Sequence, residues 1–102
     1  MKHYLEEREM LLLFFTAHFY YGRSKYGLRE PEDIRLGRLA ACKGVISISR
    51  LRLTEHAPVS RHRFAEDFAR LERQAPLLAD GPFKDAYLET LMTLRNILSS
   101  EE

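Results

Sequence analysis

Arginine and histidine lie close together at two places in this chain of 102 residues, and such a pairing can support phosphate chemistry. Arg50 lies a few residues before His56, and Arg61-His62-Arg63 follows soon after. A histidine can act as a general acid or base near neutral pH, and an arginine can stabilise charge that develops on a phosphate. The same residue types are also typical of a charged loop between two helices, so both interpretations stay open.

The spacing of Arg50 and His56 resembles the short motif of the HEPN-type helical ribonucleases. This resemblance implies an RNA-cleaving protein in which His56 is the general acid or base and Arg50 stabilises the phosphate charge. Leu51 follows the arginine, whereas that family usually has a polar residue at this place. An HEPN-like ribonuclease is therefore the third of the three functions that the sequence suggests.

The other residues that could bind a metal or act as a nucleophile stand alone. His18 lies in an apolar run and has a phenylalanine and a glycine one helical turn away on either side. Cys42 is the only cysteine, which excludes an internal disulfide and a multi-cysteine zinc site. The sequence has no catalytic set of Ser, His and Asp, no glycine-rich phosphate loop and no CxxC motif. We therefore expect a non-enzyme without a metal or cofactor, with His18 bonded to neighbouring backbone and Cys42 buried as a small apolar side chain.

The charges are unevenly distributed along the chain. Residues 23–63 hold ten Lys/Arg against four Asp/Glu, a local charge of +6, whereas residues 64–102 carry a local charge of −4. The two segments could pair within the chain or face different partners. Because phosphate neutralisation supplies most non-specific affinity for nucleic acid, we expect weak, salt-sensitive binding at most. The candidate contacts are Arg50, Arg52, Arg61 and Arg63.

Residues 34–55 also resemble a degenerate helix-turn-helix motif. Ala40 would be the small residue in the first helix that lets the second pack closely, and Gly44 would make the turn. Arg50 and Arg52 on the second helix could then reach phosphates or a guanine edge. Arg50, however, occupies a place where that motif buries an aliphatic side chain. A nucleic-acid-binding regulator is thus the second function, and a plain helix hairpin is its simpler alternative.

The elements that carry these residues are predicted to form an all-α single domain of four to five helices. Pro31 with its flanking acids indicates one helix start, and Ser60 is a good N-cap with Val59 and Phe64 spaced as a hydrophobic staple. Residues 45–53 alternate as a strand would, but a lone strand has no partner, so we favour helix there. The predicted helices cover about residues 3–22, 31–43, 47–55, 60–75 and 82–99.

The first predicted helix contains the most apolar stretch of the chain. Ten of the twelve residues at 10–21 are apolar or aromatic, and they form two stripes rather than one. The run is too short for a bilayer, which requires about 20 residues, so we expect no membrane association. A helix that is apolar all round must be covered on every side, and a small monomer rarely achieves this. The predicted interface consists of Met10, Leu13, Phe14, Ala17, Tyr20 and Tyr21.

These observations favour a small, non-catalytic interaction or regulatory protein as the first function. It would act by protein–protein binding and self-associate, as a homodimer, through its N-terminal helix. One cysteine fits a reducing compartment, so we expect a cytoplasmic protein.

Overall fold

The computed structural model describes residues 3–27 and 29–99, and over these residues the fold is all-α, which confirms the predicted class. It contains four α-helices, one short antiparallel strand pair and one turn of 3₁₀-helix. Their bounds in chain order are β1 Tyr4–Leu5, α1 Glu7–Tyr26, α2 Glu32–Thr54, β2 Val59–Ser60, α3 Arg61–Glu72, the 3₁₀ turn Ala75–Leu77 and α4 Pro82–Ser99.

Helix α2 is the central element and packs along both α1 and α4. Its buried stripe, Ala41, Cys42 and Val45, has no solvent exposure. Leu13 from α1 and Leu94 from α4 are equally buried in the same core cluster. The small side chains of α2 allow the flanking helices to approach it closely, and the core lies between the three helices.

The structure corrects the prediction of separate helices at 31–43 and 47–55. Helix α2 is continuous from Glu32 to Thr54; it starts where Pro31 and its flanking acids indicated, although Pro31 is the N-cap and not a residue of the first turn. Gly44 lies inside the helix, and a Cβ there would be 2.8 Å from the Leu71 side chain. The glycine thus makes room for a neighbouring side chain and forms no turn, so the predicted helix-turn-helix over residues 34–55 has no turn. The preference for helix over strand at residues 45–53 is confirmed.

Helix α1 is displaced along the chain from the predicted 3–22. It begins after Glu6, whose backbone N–H donates to Glu9 Oε1 at 3.1 Å, and it continues through Gly22 to Tyr26. Two basic residues in its last turn complement the negative end of the helix dipole. The glycine expected to end the helix is therefore an interior residue.

The segment before α3 fixes the N-terminus of the chain to the second half. Tyr4 pairs with Ser60 and Leu5 with Val59 in the short β1–β2 ladder. Ser60 caps α3 as predicted, because its hydroxyl accepts a hydrogen bond from the Arg63 N–H at 3.4 Å. Helix α3 ends at Glu72, three residues before the predicted end at 75, while α4 occupies its predicted range of 82–99.

Candidate functional site

The arginines expected to contact nucleic acid are largely engaged within the protein. Arg52 is 6% exposed and forms a two-point ion pair with the buried Asp67, through Nε at 2.8 Å and Nη2 at 3.0 Å. Its Nη1 also contacts the Glu55 carboxylate at 3.3 Å. The hydrogen bond to Asp67 raises the pKa of the Arg52 guanidinium above its usual value. Arg52 therefore joins α2 to α3 and does not face solvent.

Two further members of this arginine set also have acidic partners. Arg61 Nη2 contacts Glu9 Oε2 at 3.0 Å and so links the start of α3 to α1. Arg63 Nη2 lies 3.5 Å from Glu55 Oε2. Arg50 is exposed on α2. The local positive charge of the sequence is thus partly neutralised inside the fold. The Arg52–Asp67 pair joins the basic and the acidic segment within one chain, which is one of the alternatives that the sequence left open.

The histidines and the cysteine do not gather into a reactive site. His56 is exposed in the turn after α2 with a left-handed φ of 50°. His18 Nδ1 bonds the Phe14 carbonyl at 2.9 Å, as expected for its role, although the side chain is exposed and not buried. Cys42 is buried, and this burial raises the pKa of its thiol to about 11. Across the described part of the chain, no three His, Cys, Asp or Glu side chains lie together as a metal site requires.

The residues predicted to form the interface divide into two groups. Met10, Leu13 and Ala17 are at most 1% exposed and belong to the core against α2, so they cannot contact a partner while the domain is folded. Tyr20 and Tyr21 are half-buried and pack against the edge of that core. Phe14 is also half-buried. The stripe chosen as the interface is therefore mainly the stripe that holds α1 to the protein.

The other apolar stripe of α1 faces solvent. Leu12 is 49% exposed, and Phe15 and Phe19 are each 62% exposed. These residues recur at alternating steps of three and four, as in the contact line of a coiled coil. We call the full line the α1 seam, and it consists of Arg8, Leu12, Phe15, Phe19, Gly22 and Tyr26.

The ends of the α1 seam are polar and aromatic. Arg8 is exposed and pairs with Glu6 at 2.7 Å, and Tyr26 is 75% exposed. Beside the seam, the Arg23 guanidinium lies over the Phe19 ring, with 5.8 Å between Cζ and the ring centroid. A line of large apolar side chains bordered by arginine and tyrosine has the composition of a protein-binding surface.

Apart from the α1 seam, the surface has a polar cleft between the C-terminal half of α1, the start of α2 and the middle of α4. Its volume is about 680 Å³. Arg38 Nη1 donates to Glu30 Oε1 at 2.6 Å inside it, and Arg23, Arg29 and Glu89 contribute further charges to the walls. The cleft can admit a small polar molecule, but its mixture of charges does not specify one ligand chemistry.

Comparisons with protein-family models, with curated proteins and with solved structures give no significant match for this chain. None of the helices within residues 3–27 and 29–99 combines the length and apolar character that a membrane span requires. The functional interpretation therefore depends on the surface itself.

The sequence predicted a surplus apolar face on α1 but not its position. Met10, Leu13 and Ala17 of the predicted interface lie in the core, whereas the exposed stripe contains Leu12, Phe15 and Phe19. Side-chain size is the feature of the sequence that could have distinguished the buried stripe from the exposed one. Ala17 and Ser24 lie on the buried side, where small residues allow α1 to approach α2, and the larger phenylalanines lie on the opposite side.

Proposed function

We propose that this protein is a small, non-catalytic interaction protein that acts by protein–protein binding and self-associates through the α1 seam. The observation that carries this proposal is the exposure of Leu12, Phe15 and Phe19 in one continuous line. Water-exposed apolar side chains at this spacing favour contact with another helix.

The exposed area supports an interface of modest size. Taking about 200 Å² for an aromatic side chain, Phe15 and Phe19 together leave roughly 250 Å² in water. With Leu12 and Tyr26 included, two copies that pair through the seam would bury roughly 1,000 Å² in total, the lower limit for a specific interface. We expect a reversible dimer with a micromolar dissociation constant, because association costs offset much of this burial.

The remaining parts of the proposal have indirect support. A single, buried cysteine suits the reducing environment of the cytoplasm. A regulatory role would follow if the dimer, or its dissociation, controls access of a further protein to the seam. The nucleic-acid alternative is less well supported, because two of its four candidate arginines, Arg52 and Arg61, are held in ion pairs with Asp67 and Glu9.

The test is sedimentation equilibrium of the wild type and of Phe15→Glu at micromolar to 100-micromolar concentrations. We expect a monomer–dimer equilibrium for the wild type and a shift of at least tenfold towards monomer for the variant, since a charge would be buried in the contact. Met92→Glu is the matched control, because Met92 on α4 is exposed to a similar degree, 64% against 62%. A wild type that stays monomeric would refute the proposal.

A further inference from the structure

The pattern of large and small residues along the α1 seam depends on the direction in which a partner helix runs. In an antiparallel pair, residue 15 of one copy would face residue 19 of the other, residue 12 would face residue 22, and residue 8 would face residue 26. This alignment sets Phe15 against Phe19, Leu12 against Gly22 and Arg8 against Tyr26. The Leu12–Gly22 layer is then complementary in size, the Phe15–Phe19 layer pairs two aromatic rings, and the Arg8–Tyr26 layer is a cation–π contact.

The presence of a glycine at position 22, inside α1, is not explained by the packing of one copy. A glycine inside a helix is unfavourable relative to alanine, by about 1 kcal/mol, and α1 continues through this position without a break. A Cβ placed on Gly22 would meet nothing within 4 Å, so no neighbour among the residues that the structure describes requires a glycine there. Gly37 and Gly44 differ, because a Cβ on either would meet an atom of the protein within 3 Å. The space at Gly22 is therefore open to a side chain from a partner.

Charge also favours the antiparallel direction. The first turn of α1 carries the acidic Glu7, and the last turn carries the basic Arg23 and Lys25. Antiparallel helices bring the acidic end of one copy to the basic end of the other, and they oppose the two helix dipoles. A parallel pair would place Arg8 against Arg8, with like charges at both ends.

We propose that the partner of the α1 seam is a second copy of this chain whose α1 runs antiparallel, with Leu12 of each copy inserted over Gly22 of the other. This inference rests on the proposed function, because it requires self-association through the seam. It adds the direction of the helices, the register and the role of the glycine.

The test exchanges the large and small residues across the proposed contact. Gly22→Leu should weaken dimerisation at least tenfold in sedimentation equilibrium, because two leucines would then compete for one space. The variant should remain folded and its helix should be at least as stable to urea, since leucine is a better helix former than glycine and no intrachain atom opposes it. Adding Leu12→Ala to Gly22→Leu should restore most of the lost affinity.

A disulfide test reports the direction independently. Leu12→Cys and Gly22→Cys proteins, mixed under mild oxidation, should form the mixed disulfide several-fold faster than either variant forms its own. The buried Cys42 remains in both proteins as an internal control for nonspecific oxidation. Rapid self-linking of Leu12→Cys alone would show a parallel pair and overturn the register. A dimer that is insensitive to Gly22→Leu would also overturn the register but leave the proposed function intact, whereas a monomeric wild type would overturn both.

Discussion

Replacing Asp67 with alanine should destabilise the protein by about 3–5 kcal/mol, the usual cost of removing one partner from a buried ion pair. Asp67 is 1% exposed and accepts two hydrogen bonds from Arg52, at 2.8 and 3.0 Å. After the substitution, the Arg52 guanidinium would stay buried between α2 and α3 with Glu55 as its remaining acidic contact, at 3.3 Å. An uncompensated charge in that position accounts for most of the expected loss.

This loss is a large part of the total stability, which for a domain of this size is of the order of 5–15 kcal/mol. Urea unfolding followed by circular dichroism at 222 nm is the appropriate assay, because the chain has no tryptophan. We expect a lower midpoint with an unchanged slope. The loss should persist in 1 M salt, since a buried pair is screened much less than a surface pair.

Two controls separate the ion pair from the general effect of changing α3. Glu66→Ala changes the adjacent residue, whose side chain is 60% exposed, and should stay within about 0.5 kcal/mol of the wild type. Arg52→Met combined with Asp67→Leu removes both charges and should recover most of the stability. A loss below about 1 kcal/mol for Asp67→Ala would refute the reasoning, because Arg52 would then have access to water.

Three further results are expected. Ser60→Ala should lower the free energy of unfolding by about 0.5–1 kcal/mol, because the hydroxyl caps α3 through a long bond of 3.4 Å, and an unchanged urea midpoint would exclude that cap. Because the pKa of Cys42 is raised from 9.0 to about 11, the folded chain holds the thiol proton to higher pH than the unfolded chain. Stability should therefore be full below pH 9 and fall by about 2–3 kcal/mol as the pH rises to about 11, and Cys42→Ala should show a smaller fall. Fluorescence anisotropy should detect only weak nucleic-acid binding that is lost at high salt, and tight binding that Arg50→Ala abolishes would contradict this expectation.

The parts of the fold that could be predicted are those where local chemistry decides the structure. Ser60 satisfies an N–H of the first turn of α3 from an adjacent position in sequence, and Pro82 starts α4 directly after an Asp-Gly pair. Such signals depend on neighbours along the chain and need no knowledge of tertiary contacts.

The continuity of α2 could not be predicted in the same way. A lysine followed by a glycine is typical of a helix end, so the local rule predicts that the helix ends at Gly44. The local rule does not include tertiary packing. Ala41, Cys42 and Val45 lie on both sides of the glycine and are fully buried in one core cluster, and the Leu71 side chain, distant in sequence, lies where a Cβ of residue 44 would be. The buried ion pair of Arg52 and Asp67 has the same character, because a sequence shows the charges but not the helices that bring them together.

The two faces of α1 show why composition predicted a helix with a surplus apolar face but not which face is exposed. Both stripes are apolar, so hydrophobicity alone does not distinguish the face that binds α2 from the face that remains exposed. Packing against a helix inside one chain is constrained by backbone distance, and the small Ala17 fits that constraint, because it is fully buried in the same core cluster as Ala41 and Cys42. The exposed side has large rings at Phe15 and Phe19 and the unexplained space at Gly22. The exposed face is thus a line of large side chains with one gap at Gly22, and in the proposed antiparallel register Leu12 of a second copy would occupy that gap.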